Sequence, residues 1–99
     1  MACAGQPAVP YGASPIFDRQ SLPDSLRSEH RTKDGTWGLL RVLEGEVELI
    51  FLDPPSQRRV TVDNPAPIPP QAAHFVKIAG PMKMQVEFYR ENPLPGDKG

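Results

Sequence analysis

Trp37-Gly38-Leu39-Leu40-Arg41-Val42-Leu43-Glu44-Gly45, followed directly by Glu46-Val47-Glu48-Leu49-Ile50-Phe51-Leu52, decides the fold class. In the second run Val47, Leu49 and Phe51 fall on one face at a period of two, the signature of a strand. The first run is apolar, broken only by Gly38 and Arg41. Glu44-Gly45 stands between them as a turn pair. Two such runs joined through a glycine-centred turn predict a β-hairpin.

The chain around this stretch also reads as short strands. Arg59-Val60-Thr61-Val62 is β-branched and is stopped by Asp63-Asn64-Pro65. His74 to Ile78 is a second candidate, ended by Gly80-Pro81. Met82 to Tyr89 alternates cleanly, with Met82, Met84, Val86 and Phe88 on one face and Lys83, Gln85, Glu87 and Tyr89 on the other. The one helical candidate is a turn capped by Ser21, entering at Leu22-Pro23-Asp24 and running no further than Ser28. The chain carries 13 prolines in 99 residues, against a usual ~5%. Proline breaks helix interiors, so a helical bundle is excluded. Many short strands with Pro/Gly turns predict an all-β domain. At this size the reading is a small β-barrel or jelly roll, which closes its own edges, with at most one short helical turn.

Ninety-nine residues suit one domain. The net charge is −1 and the isoelectric point is near 6.1. No basic field exists to draw nucleic acid or an anionic membrane surface. No apolar run approaches the ~20 residues of a membrane helix. A single cysteine, Cys3, allows neither an intramolecular disulfide nor a cysteine-based zinc site. The opening Met-Ala-Cys-Ala-Gly-Gln-Pro lacks a basic and then apolar leader. These features set the expectation of a cytoplasmic protein. Residues 1–13 and 92–99 are small, polar and rich in Pro and Gly, and both are expected to be loose tails around a domain at 14–91.

Most catalytic motifs are absent: no glycine-rich phosphate loop, no Gly-x-Ser-x-Gly, no His-Glu-x-x-His. What remains is two histidines. His30 sits in the polar run Arg27-Ser28-Glu29-His30-Arg31-Thr32-Lys33-Asp34, and its plain reading is a surface residue. His74 opens an apolar strand, and its plain reading is a ring satisfied by a backbone carbonyl. Imidazole is also the commonest metal ligand, which gives both a second reading if the fold joins them. Trp37 reads as core or as the wall of a ligand pocket. Lys33 and Arg41 read as solvated cations or as an anion clamp at that pocket's mouth. Met82 and Met84 read as core.

The stretch from His30 through Trp37 to Val42-Leu43-Glu44-Gly45 resembles a degenerate first cupin motif, and Pro69-Pro70-Gln71-Ala72-Ala73-His74 resembles the second. More narrowly, Leu22-Pro23, His30, Thr32-Lys33, Gly35-Thr36-Trp37-Gly38, Leu43-Glu44-Gly45, Pro70, His74 and Val86-Glu87-Phe88-Tyr89-Arg90, in that order, are similar to one small domain family. It occurs at the N-terminus of some tellurite-resistance TehB methyltransferases and as stand-alone YeaR-like proteins. The resemblance covers about residues 14–91. It implies a cupin-like barrel, a double-stranded β-helix, and a link to tellurite or other oxyanion stress.

The general cupin pattern has two close histidines and then a glutamate. Here only His30 remains, and Gly38 falls near the glutamate position. The resemblance therefore implies a two-histidine remnant, His30 and His74, around one divalent transition metal: zinc, iron, nickel or manganese. Glu87 is the candidate third ligand, because a hairpin centred on Gly80-Pro81 sets it opposite His74. Glu29 and water are the alternatives. The leading expectation is a module that binds a metal and a small molecule or oxyanion. The alternatives are a small cupin-type dioxygenase or isomerase, and a metal-free binding or regulatory module. A homodimer is expected as well, because a small barrel leaves strand edges open, with Ile16-Phe17 as the candidate edge.

Overall fold

The computed structural model describes residues 9–94. In chain order the elements are β1 (Gly12–Ala13), β2 (Phe17–Asp18), α1 (Asp24–Arg27), β3 (His30–Arg31), β4 (Trp37–Glu44), β5 (Glu46–Leu52), β6 (Pro55–Thr61), β7 (Ala66–Ile68), β8 (Ala73–Lys77) and β9 (Lys83–Tyr89). The chain is nearly all-β, as its prolines and alternating runs dictate.

The strands form two sheets rather than a closed barrel. One has the order β1-β9-β4-β7, with β2 also paired to β9; the other has the order β3-β8-β5-β6. The expected barrel is thus corrected to two facing layers. The expected hairpin is corrected too. The strands β4 and β5 lie in different sheets, and the Gly45 turn hands the chain from one layer to the other. The hairpin that does form joins β5 to β6, with Leu52 opposite Pro55 across Asp53-Pro54, whose peptide bond is cis. Proline sits at the first residue of β6 and in the edge strand β7, where a missing N–H does least harm to the ladder.

Within each sheet the alternation read from the sequence holds. On β4 and β9 the register pairs Gly38 with Phe88, Leu40 with Val86 and Val42 with Met84. Directly opposed residues share a face, and this face turns inward. On the second sheet Val47, Leu49 and Phe51 turn inward with Val60 and Val76. Leu40, Leu49, Val60 and Met84 are fully buried, and burial of each such side chain is worth about 1.5–3 kcal/mol.

Two local expectations change. Ser21 does not cap α1, which has Pro23 at its N-cap and no side-chain cap. The Ser21 hydroxyl instead accepts the Asp18 N–H at 2.9 Å, while the Asp18 carboxylate accepts the N–H groups of Gln20 and Ser21 at 2.8 Å each. The N-terminal boundary also moves outward. Gly12 and Ala13 pair with Phe88 and Glu87, so the sheet begins inside the segment read as tail. The remaining tail residues 1–8 and 95–99, including Cys3, lie outside the described residues. The Ile16-Phe17 edge is not an unpaired apolar strip either. Phe17 is paired with Met84 and packs on the core, and only Ile16, 55% exposed, faces out.

Candidate functional site

The strand register puts His30 directly opposite His74, and His74 directly opposite Phe51. Three rings from β3, β8 and β5 therefore form a row on the inner face of one sheet. The two imidazole centroids lie 4.1 Å apart at an interplanar angle of 60°, and His74 and Phe51 lie 6.0 Å apart. His74 is only 4% exposed.

Each imidazole is held by the backbone two residues before it. The Nδ1 of His30 is 3.0 Å from the Ser28 carbonyl oxygen, and the Nδ1 of His74 is 2.6 Å from that of Ala72. A carbonyl oxygen only accepts, so each Nδ1 carries the hydrogen. Each neutral ring then keeps its lone pair on Nε2. Burial pushes the His74 pKa below its ordinary 6.5, the Ala72 hydrogen bond works against that, and the charge of His30 adds a further lowering.

This shift has a sign that can be measured. The unfolded His74 takes up a proton near pH 6.5 and the folded one resists it. The stability contributed by the neutral folded form is complete above the unfolded value and is lost as pH falls toward the folded one. Urea unfolding midpoints should drop between pH 7.5 and 5. The His74→Asn variant should show a shallower drop over that range; an identical slope would exclude His74 as its source.

Both histidines line a cavity of about 490 Å³ between the sheets. Its walls are chiefly apolar, with Phe17, Leu40, Ile68, Val76, Met84 and Phe88 among them. It lies on the side where β1 and β2 edge one sheet and β3 edges the other, beneath Pro23 and Leu26 of the helical segment. Gly38 opens part of its floor, since a Cβ there would reach Ile68 and Val86 at 3.5 Å. At the wall the Tyr11 and Thr36 hydroxyls are hydrogen-bonded at 3.0 Å. Thr32 Oγ1 is buried there with no hydrogen-bond partner. Neither hydroxyl pattern was legible beforehand: Tyr11 lay in an expected tail, and Thr32 in a polar run.

Of the other sequence candidates, Lys33 lines the cavity and Trp37, Arg41 and Glu87 do not. The reason is parity. Gly38, Leu40 and Val42 face in, so Trp37, Leu39 and Arg41 face the other side of the sheet, with Tyr89, Glu87 and Gln85 opposite them. There the Arg41 Nε–H donates to Glu87 Oε1 at 2.7 Å and the Tyr89 hydroxyl donates to the same oxygen at 2.8 Å. Burial raises the Glu87 carboxyl pKa, but these two hydrogen bonds and the Arg41 charge outweigh it, and the net shift is downward.

The hairpin that was to bring Glu87 to His74 does not exist, because β8 and β9 belong to different sheets. Among the described residues no group of three or more His, Cys, Asp or Glu side chains is placed to hold a metal ion. Glu29 is therefore not gathered with the histidines either. Glu87→Gln should weaken an exposed ion pair by under about 1 kcal/mol. It should leave any cation binding at His30 and His74 unchanged in calorimetric titration; weakened binding would return Glu87 to the site.

Residues 13–86 match the family model described as the TehB-like domain. The chain belongs to the TehB-like domain family. That span contains His30, His74 and the cavity walls from Ser14 to Val86, and stops short of Tyr11 and Glu87. Among its relatives are the probable S-adenosyl-L-methionine-dependent methyltransferases TehB of two Haemophilus influenzae strains. They are 31% identical over an 85-residue alignment that covers 80% of this chain and 30% of each relative. The TehB-like domain here thus spans 30% of the length of the curated relatives it matches. The crystal structure of TehB from Haemophilus influenzae superposes with a TM-score of 0.74 at 27% identity, covering 85% of this chain and 32% of that one. The crystal structure of a protein from Escherichia coli K12 superposes with a TM-score of 0.75 at 18% identity, covering 85% of this chain and 91% of that one. At that identity the likeness is one of fold. The described part of the TehB-like domain has no helix long and apolar enough to cross a membrane.

Proposed function

We propose that this TehB-like domain is a binding module in which His30 and His74 together hold one divalent transition-metal cation at the wall of the inter-sheet cavity. One observation carries the reading. The two imidazoles are opposed across adjacent strands, and each has its Nδ1–H fixed by a carbonyl, which leaves Nε2 for a ligand. A carbonyl that accepts from the other ring nitrogen, and so sets the tautomer, is the usual support of a metal-binding histidine. Water or a small molecule or oxyanion in the cavity completes the coordination. No carboxylate is among the described residues that line the cavity. For this chain the methyl transfer named in its relatives is not proposed; a binding role beside such chemistry is.

A metal-free module is the second reading, favoured by the lack of a third protein ligand among the described residues. Titration of zinc or nickel into chelator-treated protein separates the two. The first reading expects one equivalent bound per chain; no saturable heat leaves the second.

A further inference from the structure

The cavity holds more room than a cation needs. Its volume is about 490 Å³, within the range of small-molecule sites. Its lining grades from buried and apolar to exposed and basic. Leu40, Ile68 and Met84 are buried, whereas Arg31 and Lys33, which line it too, are exposed.

The two cations belong to one corner of the rim. The Gln71 N–H donates to the Thr32 carbonyl at 2.9 Å, and Arg31 donates from a guanidinium nitrogen to the Gln71 carbonyl at 3.1 Å. Gln71 thus clasps the two residues that precede Lys33. The Thr36 N–H donates back to the Lys33 carbonyl at 3.0 Å, which closes a turn there. The Arg31 guanidinium has further N–H groups to give. The Lys33 ammonium has no hydrogen-bond or ion-pair partner among the described residues. Glu29 and Asp34 flank this stretch, but both are exposed and neither is among the described residues that line the cavity.

A cleft with low-dielectric walls and one sign of charge at its rim draws the opposite charge. The apolar walls call for an apolar body. An ionised head pays heavily for full burial, and here it has cations to meet at the wet end. We propose that the inter-sheet cavity binds a small carboxylate with an apolar body, the body between the sheets and the carboxylate at the Arg31–Lys33 corner. This goes beyond the cation reading and stands without it, because the corner needs no metal.

The test titrates naphthoate, neutral naphthamide and cationic naphthylmethylammonium into the full chain, freed of metal with a chelator and dialysed, and reads amide chemical shifts. Naphthoate should saturate, shifting Leu40 and Met84, and bind about tenfold more tightly than naphthamide, two exposed charge contacts being worth up to about fivefold each. The ammonium should bind more weakly than naphthamide. Raising salt from about 0.02 to 0.3 M should weaken naphthoate and leave naphthamide unchanged. The double variant Arg31→Gln/Lys33→Gln should bind the acid and the amide alike, with the amide affinity of the parent as proof of an intact cavity. The proposal is overturned by any of three results: no saturation with naphthoate, naphthamide or the ammonium binding as tightly, or a naphthoate preference that survives in the double variant. With metal removed throughout, none of these bears on whether the histidines hold a cation.

Discussion

Gly45→Ala should destabilise the domain by about 2–5 kcal/mol, a large share of the ~5–15 kcal/mol available to a domain of this kind. Two effects add. The backbone at Gly45 has φ +73°, where a residue with a Cβ is disfavoured by about 1–2 kcal/mol. A Cβ there would also lie 2.5 Å from the Pro81 carbonyl oxygen and 3.3 Å from Met82 Cα. Both are backbone atoms, so no side-chain rotation relieves the contact. Gly35 supplies the control. It too has positive φ, +76°, but nothing lies within 4 Å of its Cβ position. Gly35→Ala should therefore show the conformational part alone, about 1–2 kcal/mol. Urea unfolding of the two variants checks this. Equal losses would mean that the Pro81 carbonyl does not close on the turn.

Replacing either histidine by alanine should weaken divalent-cation binding by more than about 100-fold. Losing only the outer partner that orients a ligand lowers metal affinity by about 10–100-fold, and losing the ligand itself exceeds that. His30→Ala and His74→Ala should be strongly non-additive, since a single remaining imidazole no longer chelates. The double variant should bind little more weakly than either single one. Calorimetric titration with zinc, alongside unfolding curves to show that each variant is folded, gives the answer. Additive losses, or either single variant binding like the parent, would exclude a shared cation.

The strand faces were legible in the sequence and the strand partners were not. Alternation along Met82 to Tyr89 named the buried side correctly, because each Cβ reports only which face it takes. Nothing in it says which neighbour pairs. So Trp37–Glu44 and Glu46–Leu52, adjacent in sequence, were read as one hairpin although the Gly45 turn separates the sheets. The same limit misplaced Glu87, whose assumed turn at Gly80-Pro81 changes layers rather than folding back. Two-residue strands such as β3 carry no period at all, and prolines hide the first half of β6 and all of β7, leaving only Arg59 to Val62 legible as a strand. Leu39 and Leu40 are both apolar, which hides the parity of β4, so nothing in the sequence excludes Trp37 and Arg41 from the pocket although both face the other side of the sheet. Leu39 is buried on the outward face. The meeting of His30 with His74 came from resemblance and not from spacing, since residues so far apart in the chain are joined only by the topology.

The strand that brings His30 to the site is two residues long and lies at the margin of its sheet. The strands β5 and β8 that carry Phe51 and His74 are longer, and they belong to the packed interior. Short marginal segments detach at far lower free energy than the cooperative core around them. The His30 side of the site therefore opens at lower free energy than the His74 side, while both sheets stay folded.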